Sequence, residues 1–274
     1  MPPFVNPDRM KATTRPTPVK EFAVDKARVE VFVDRLQAGQ AAAFDVSSDL
    51  ANLQCGVELA RAVFAAAPSQ DEFLASLVGK SAIDWSRISV FHMDEYLGLE
   101  SQNPASFRSY LQSHLFNHVA IPPDRLHLIP GEVIDRPLRV CMAYEELLRS
   151  KPIDIVCGGI GENGHVAFND PASADFQDPL WVKIVRLDEA CRTQQVHDGC
   201  FMKFDDVPTH AFTLTMTALM SARIVSVVVP GRRKARAVEK ALSGPISAAC
   251  PASILRGHPG VRIYLDPDSA RMLV

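Results

Sequence analysis

Residues 153–165 read IDIVCGGIGENGH: an apolar run of strand length opens directly into a turn rich in glycine. Similar apolar runs recur along the chain, at 29–33, 59–67, 87–93, 126–129, 182–186, 211–216, 224–229 and 261–265. Helical patterns separate them, at 35–54, 70–78, 104–116, 138–149, 217–222 and 232–242. Apolar strands that alternate with helices are typical of a parallel sheet covered on both faces. The sequence therefore predicts an α/β fold, whose ligands bind beyond the carboxyl ends of the strands.

The composition excludes several functional classes. The chain has 274 residues, 47% of them hydrophobic, and a net charge of −3, so we expect a globular protein that does not bind nucleic acid. No apolar stretch reaches about 18 residues, so we expect no membrane span. The six cysteines include no C-x-x-C pair, which favours reduced thiols and a cytoplasmic location. Five prolines within residues 1–20 predict a flexible tail, and residues 21–274 are expected to form a single domain.

The segment FHMDEYLGL, residues 91–99, places Asp94 and Glu95 directly after an apolar strand. Neighbouring residues at a strand end point in different directions, so one carboxylate can face the ligand crevice while the other braces the loop. A carboxylate at a crevice suits the role of a general base, because burial raises its pKa. The alternative is an acidic turn that only caps the following helix.

The segment GGIGENGHVAFNDP, residues 158–171, brings Asn163, His165 and Asp170 within eight residues. Its glycines, including Gly159, Gly161 and Gly164, permit tight turns and a close approach of backbone to ligand. A histidine oriented by an amide and a carboxylate can shuttle protons. The alternative is a structural loop whose histidine is satisfied internally.

Two further turns are candidate anion sites. PGRRKARAVEKAL, residues 230–242, places cations at the start of a predicted helix, where they oppose the helix dipole unless an anion is bound. In APSQ, residues 67–70, the Ser69 hydroxyl and free N–H groups could hold a phosphate. The alternative for the first turn is a solvated basic surface.

Taken together, these motifs resemble the glucosamine-6-phosphate deaminase/isomerase family from about residue 60 to the C-terminus. FHMDEYLGLESQNPASFRSYL is similar to the aspartate-bearing motif of that family, and GGIGENGHVAFNDP to its G-G-[IV]-G-x-[DN]-G-H-[IV]-A-F-N-E-P motif. DVPTHAFTLTMTAL and PGRRKARAVEKAL match later elements of the family. The 6-phosphogluconolactonases are a weaker match, because they share the G-x-G-x-D-G-H loop but lack M-D-E-Y.

The resemblance implies a Rossmann-like fold, with a mostly parallel twisted sheet and helices on both faces. It implies ring opening and aldose–ketose isomerisation of a phosphorylated amino sugar, with release of ammonia, and it implies neither a metal nor an organic cofactor. Asp94 matches the general base, and His165, supported by Asn163 and Asp170, matches the ring-opening group. Lys234 matches the phosphate-binding lysine.

The resemblance also implies a phosphate turn formed by Ala67, Ser69 and Gln70, and it leads us to expect a homo-oligomer. Supporting positions are Glu95, Gly159, Gly161 and Gly164. The chain departs from the family at several positions. Asn163 stands where Asp is frequent, and Asp170 replaces the usual Glu. Residues 66–68 read Ala-Ala-Pro in place of Thr-Gly-Gly or Thr-Gly-Ser.

The segment LDEACRTQQVHDGCF, residues 187–201, also departs from the family, because it lacks the usual phosphate-binding arginine near its end. Arg192 and His197 are the candidates to replace that arginine. Two other functions stay open at this point. One is a sugar-phosphate-binding homologue without catalysis, and the other is a lactone hydrolase of the 6-phosphogluconolactonase type.

Overall fold

The computed structural model describes residues 14–273 and contains two sheets. The strands are β1 Lys20–Val24, β2 Ala27–Val31, β3 Ala60–Phe64, β4 Ile88–His92, β5 Asp94–Tyr96, β6 Leu126–His127, β7 Ile155–Gly158, β8 Val182–Arg186, β9 His210–Leu214, β10 Ile224–Val229 and β11 Val261–Leu265. The helices are α1 Arg35–Gly56, α2 Asp71–Leu77, α3 Phe107–His114, α4 Pro137–Arg149, α5 Glu189–His197, α6 Met216–Met220, α7 Ala235–Ser243 and α8 Pro267–Ala270.

The main sheet has eight strands in the order β1-β2-β11-β10-β7-β3-β4-β6. Every neighbouring pair is parallel except β1 and β2, which form an antiparallel hairpin. The strand order reverses between β7 and β3, so the carboxyl ends of β3, β4, β7 and β10 open into one crevice. The prediction of an α/β fold with a mostly parallel sheet is confirmed.

Successive side chains of the central strands enter two separate hydrophobic cores. Phe64 and Cys157 pack with α1, α2 and α3 on one face of the main sheet, whereas Val63 and Val156 pack with α4, α6 and α7 on the other. Because side chains alternate along a strand, a strand that is apolar throughout must be covered on both faces. These two cores hold the strand ends rigidly beneath the crevice. Among the described residues, no helix is long and apolar enough to cross a bilayer.

A second sheet, of three antiparallel strands in the order β5-β9-β8, corrects the sequence interpretation of two regions. Residues 94–96 form strand β5 rather than a loop or an acidic turn, with Asp94 opposite Thr213 and Glu95 opposite Phe212. The runs 182–186 and 211–216 belong to this small sheet and not to the parallel one. The chain therefore passes from the main sheet to the small sheet at Met93, directly before Asp94.

The N-terminal segment is anchored from Arg15 onward. The Arg15 guanidinium lies 2.6 Å from a carboxylate oxygen of Glu30 and 2.7 Å from one of Asp45, and Lys20 begins β1. Residues 1–13 of the predicted tail lie outside the described residues. The part that the structure describes, residues 14–20, therefore belongs to the folded unit through buried ion pairs and a strand.

Helices α1 and α2 approach each other closely at Gly39. A Cβ built on Gly39 would lie 2.8 Å from the backbone nitrogen of Phe73 and 2.9 Å from the carbonyl carbon of Glu72. We expect Gly39→Ala to destabilise the fold by about 1–3 kcal/mol because backbone cannot yield to the methyl group, although alanine gains about 1 kcal/mol of helix propensity.

The matched control is Gly56→Ala, at the end of the same helix, where nothing lies within 4 Å of the added Cβ. Chemical denaturation of both variants measures the free energy of unfolding. A Gly39→Ala protein as stable as the Gly56→Ala protein would contradict the packing account.

Candidate active site

A cleft of about 570 Å³, counted to its open mouth, lies at the carboxyl ends of the central strands. It is lined by residues 65–70 after β3, residues 93–94 after β4, several residues of the loop that follows β7, residues at the C-terminal end of α5, Phe107 and Lys234. The predicted site residues Ala67, Ser69, Gln70, Asp94, Gly159, Gly161, His165 and Lys234 all line this cleft. Glu95, Asn163, Gly164 and Asp170 lie behind its wall.

The two neighbouring acids of β5 have different surroundings. The Glu95 carboxylate is fully buried and accepts hydrogen bonds from the Ser106 hydroxyl at 2.8 Å, the Arg108 backbone N–H at 3.0 Å and the Phe107 N–H at 3.2 Å. It thereby caps the start of α3. Asp94 points the other way, into the cleft, and its carboxylate has no hydrogen-bond partner among residues 14–273.

Burial in the cleft wall and the nearby charge of Glu95 raise the pKa of Asp94 well above its ordinary value. The carboxylate is thus a stronger base than an exposed aspartate once its proton has left. Burial also raises the pKa of Glu95, although the hydrogen bonds of the α3 cap oppose that shift.

The His165 side chain is held at one ring nitrogen. Its Nδ1 lies 2.7 Å from the Asn163 Oδ1 and 3.2 Å from the Asp170 Oδ1. The Asn163 amide is itself oriented, since it donates to Asp170 at 2.9 Å and to Asp188 at 3.0 Å. Both neighbours of Nδ1 are acceptors, so Nδ1 carries a proton and the lone pair of the neutral ring is on Nε2.

Asp170 is ionised beside this imidazole. Burial alone would raise its pKa, but the hydrogen bond and charge of His165 and the hydrogen bonds from Asn163 and the Asp188 backbone hold its pKa below the ordinary value. A fixed negative charge on the Nδ1 side stabilises an imidazolium that forms when Nε2 accepts a proton.

The loop that carries His165 depends on particular backbone conformations. A Cβ on Gly161 would lie 2.2 Å from the imidazole ring, so only glycine allows the histidine to occupy its place. Gly164 has a φ of 88°, and Ala167, which lines the cleft, has a φ of 51°. A left-handed alanine is strained, and such strain clusters at functional sites.

The turn at 67–70 and Lys234 form a further part of the cleft wall. The Gln70 amide donates to the Ser69 hydroxyl and to the Val228 carbonyl, both at 3.2 Å, and so attaches the turn to β10. The Lys234 side chain is 7% exposed, and no described residue accepts a hydrogen bond from its ammonium group. Burial lowers its pKa, while the charges of Asp198 and Glu162 oppose that shift.

An ion-pair network surrounds this lysine. Arg233 lies 2.8 Å from a Glu162 oxygen and 3.1 Å from an Asp198 oxygen, and it is half exposed at the mouth of the cleft. The Glu162 backbone N–H donates to the Gln194 side chain at 2.7 Å. The His165 loop, the end of α5 and the start of α7 are therefore connected by charges and hydrogen bonds.

Helix α5 and the turn that follows it contribute cleft residues that the sequence does not single out, namely Gln194, Gln195, Asp198 and Cys200. The sequence signal for these residues is the segment LDEACRTQQVHDGCF, in which two adjacent glutamines lie among other polar residues. Neither candidate for the missing arginine lines the cleft. Arg192 donates to the carbonyls of Phe204 and Val207, both at 2.9 Å, and His197 lies beside Glu162.

One cluster has the residue types of a metal site. Ligating atoms of His165, Asp170 and Cys191 lie within 4.8 Å of one another, and all three residues are buried. Burial, with the charges of Asp170 and Asp188, raises the pKa of the Cys191 thiol well above its ordinary value, so the thiol stays protonated. A metal binds the thiolate, so this donor set fits a hydrogen-bonded triad better than a metal site.

Comparison with known sequences gives a consistent set of relatives. The sequence profile of the family described as glucosamine-6-phosphate isomerases/6-phosphogluconolactonase matches residues 58–263. A glucosamine-6-phosphate deaminase of Listeria welshimeri is 35% identical over 205 residues, which cover 75% of this chain and 84% of that protein. A glucosamine-6-phosphate deaminase of Alkaliphilus oremlandii is 34% identical over 201 residues, covering 73% and 81%.

Solved structures agree with these relatives. A structure described as a monomeric glucosamine-6-phosphate deaminase of the NagB superfamily superposes with a TM-score of 0.82 at 28% identity, covering 89% of this chain and 99% of that one. The 6-phosphogluconolactonase of Trypanosoma brucei, at 19% identity and a TM-score of 0.72, covers 93% and 100% and shares the fold. The resemblance inferred from the motifs is confirmed. This chain is a member of the glucosamine-6-phosphate isomerase/6-phosphogluconolactonase family.

Proposed function

We propose that this protein is a glucosamine-6-phosphate deaminase that opens the sugar ring, isomerises the aldose to the ketose and releases ammonia. The observation that carries the proposal is that Asp94, His165 and Lys234 face one cleft, and that no residue between 14 and 273 pairs with the Asp94 carboxylate or the Lys234 ammonium. A buried base and a buried cation without partners are costly, and a ligand that meets both removes the cost.

The first step is ring opening at His165. Its Nε2 takes the proton of the C1 hydroxyl and returns it to the ring oxygen as the C1–O5 bond breaks, which leaves an open-chain aldehyde. The imidazolium that exists between the two transfers is stabilised by Asp170 and oriented by Asn163 through Nδ1.

The second step is isomerisation at Asp94. The carboxylate removes the proton from C2 while water protonates O1, which gives an enolamine. Asp94 then delivers its proton to C1, and the nitrogen releases one proton to water, which gives a neutral ketimine. Addition of water to the ketimine carbon and departure of the amine yield the ketose phosphate and ammonia. No group beyond the side chains and water is required for this sequence, so we propose that no metal or organic cofactor takes part.

The phosphate lies at the other end of the substrate. We assign it to Lys234 and to the turn of Ala67, Ser69 and Gln70, which lies beside Gly159 across the cleft. With these contacts the reacting carbons extend toward Asp94 and His165. The substrate class is therefore a phosphorylated amino sugar.

The remaining features of the proposal concern organisation. We propose that residues 21–274 act as a single domain, that copies of the chain associate as a homo-oligomer, and that the protein works in the cytoplasm without binding nucleic acid. Six free cysteines in the described residues support a reducing compartment.

Two assays separate this function from the alternatives. Release of ammonia from glucosamine-6-phosphate supports the deaminase, and hydrolysis of 6-phosphogluconolactone without ammonia release would favour the lactonase. The second candidate is kept because the family includes 6-phosphogluconolactonases. Binding of the sugar phosphate without either reaction would favour a non-catalytic homologue.

We expect Asp94→Asn to lower turnover by about 10²–10⁴-fold because the general base is lost, while substrate binding is retained.

The raised pKa of Asp94 adds a pH signature. The kcat/KM of the wild-type protein should fall on the acidic side at a pH above the ordinary pKa of aspartate, because the base becomes protonated there. Exchange of the C2 proton with solvent, followed by NMR, measures the step directly. The control is Asp124→Asn, at an exposed position. Exchange at the wild-type rate in Asp94→Asn would refute the assignment.

We expect Lys234→Ala to raise KM for the phosphorylated sugar far more than it lowers kcat, because the phosphate contact is equal in ground and transition states. Inorganic phosphate should compete with substrate in the wild type and compete poorly in the variant. Lys240→Ala, at an exposed position of the same helix, is the control. Unchanged phosphate competition in Lys234→Ala would move the anion site elsewhere.

We expect His165→Gln to slow turnover of the ring form and to spare substrate already in the open-chain form, because only the ring form needs proton transfer to the ring oxygen. Pre-steady-state turnover of both forms is the measurement, with His210→Gln as an exposed control. Equal slowing of both forms would mean that His165 acts in isomerisation or in support of the fold.

A further inference from the structure

Gln195 is a buried amide without a protein partner in the wall of the cleft. It is 7% exposed, it lines the cleft, and its side chain makes no hydrogen bond to any residue between 14 and 273. Its amide faces the open space of the cleft, where a ligand can replace solvent as its hydrogen-bond partner. We infer that Gln195 binds a hydroxyl group of the sugar substrate and determines which sugar the cleft accepts. This inference rests on the proposed function.

The neighbouring glutamine, Gln194, has a structural role and serves as a comparison. Gln194 accepts from the Glu162 backbone N–H at 2.7 Å and donates to the Asp198 carboxylate at 3.2 Å. Both polar atoms of its side chain are therefore used inside the protein. Gln195, one residue further along α5, uses neither, so its amide is free for a ligand.

The chemistry of the amide selects the ligand group. The phosphate offers only hydrogen-bond acceptors, which suit the Lys234 ammonium, and the proton at C2 is removed by Asp94. Neither group therefore needs Gln195. An amide donates and accepts, and a hydroxyl does the same, so the two groups satisfy each other completely. In the ring form C1 carries the reacting hydroxyl, C2 the amine, C5 the ring oxygen and C6 the phosphate. The hydroxyls left for Gln195 are those on C3 and C4.

Gln70, the other amide that lines the cleft outside α5, is held by the protein. It is 2% exposed, its NH2 group donates to Ser69 and Val228, and its Oε1 is buried away from the cleft. Among the described amides of the cleft wall, Gln195 is therefore the one whose donor and acceptor are both open to a ligand.

The test compares glucosamine-6-phosphate with its 3-deoxy and 4-deoxy analogues in an ammonia-release assay. In the wild type we expect the analogue that lacks the recognised hydroxyl to lose about tenfold in kcat/KM, the size expected for one uncharged hydrogen bond. In Gln195→Leu the parent sugar should lose about the same factor, and the parent and that analogue should then react alike. The other analogue should keep its wild-type ratio to the parent.

The matched control is Gln194→Leu, on the same turn of α5. Because Gln194 bonds only within the protein, this variant should slow the parent and both analogues by one common factor. Gln195→Met, which keeps the length of the side chain and removes the amide, repeats the test if the leucine variant does not fold, as judged by thermal unfolding.

Each outcome of these assays either supports or overturns the inference. Loss of discrimination at one carbon in Gln195→Leu or Gln195→Met supports the inference. Wild-type ratios for both analogues in a folded, active Gln195 variant overturn it and leave the deaminase function intact. A wild-type protein that releases no ammonia from the parent overturns the proposed function, and the hydroxyl contact with it.

Discussion

The buried carboxylate of Glu95 is the contact on which the site depends. It has no exposure to solvent, and its hydrogen bonds to Ser106, Phe107 and Arg108 join strand β5 to the start of α3. A buried carboxylate without such donors would cost several kcal/mol, so the strand and the helix are held at one distance and one orientation. Asp94, the adjacent residue, is aimed into the cleft as a consequence.

The charged groups of the cleft fall into two classes. Those that stabilise the fold are paired with other groups of the protein, whereas those that are open to a ligand have no partner in the described part of the chain. Asp170 is ionised and surrounded by donors. Asp94 and Lys234 are buried without a partner in the described part of the chain, and burial shifts the pKa of these two groups toward the neutral form. The fold stabilises this arrangement elsewhere, through two apolar cores and the ion pairs of Arg15. Buried charged groups without a partner lower the stability of the fold, and they are typical of functional sites.

Much of this architecture could be predicted from sequence, because apolar strands and the turns that end them leave a local pattern. Other elements could not. Strand β5 consists of Asp94, Glu95 and Tyr96, which have the character of a turn, and only pairing with β9 makes it a strand. Helix α5 was missed because its inward face carries Cys191, Gln194 and Gln195 in place of a regular apolar stripe.

The N-terminal segment and the cleft were likewise predictable only in part. Prolines at the start of the chain predict a loose tail, but in its described part, residues 14–20, Arg15 forms ion pairs with Glu30 and Asp45. The loop motif singles out His165, which lines the cleft, because its glycines and polar residues lie together in the sequence. The role of α5 beside that loop depends on tertiary contacts, such as the one between Glu162 and Gln194, which no local pattern reveals.

The passage from one sheet to the other at Met93 has an evolutionary consequence. Strand side chains alternate, so a deletion or insertion of a single residue before β5 would exchange the directions of Asp94 and Glu95 relative to their partners Thr213 and Phe212. The longer acid would then face the substrate, and the shorter one would be left to cap α3. A point mutation changes one acid of this site at a time, whereas an insertion or deletion in this short stretch reverses the directions of both side chains at once. A functional descendant of this protein must therefore keep the number of residues between β4 and β5 constant.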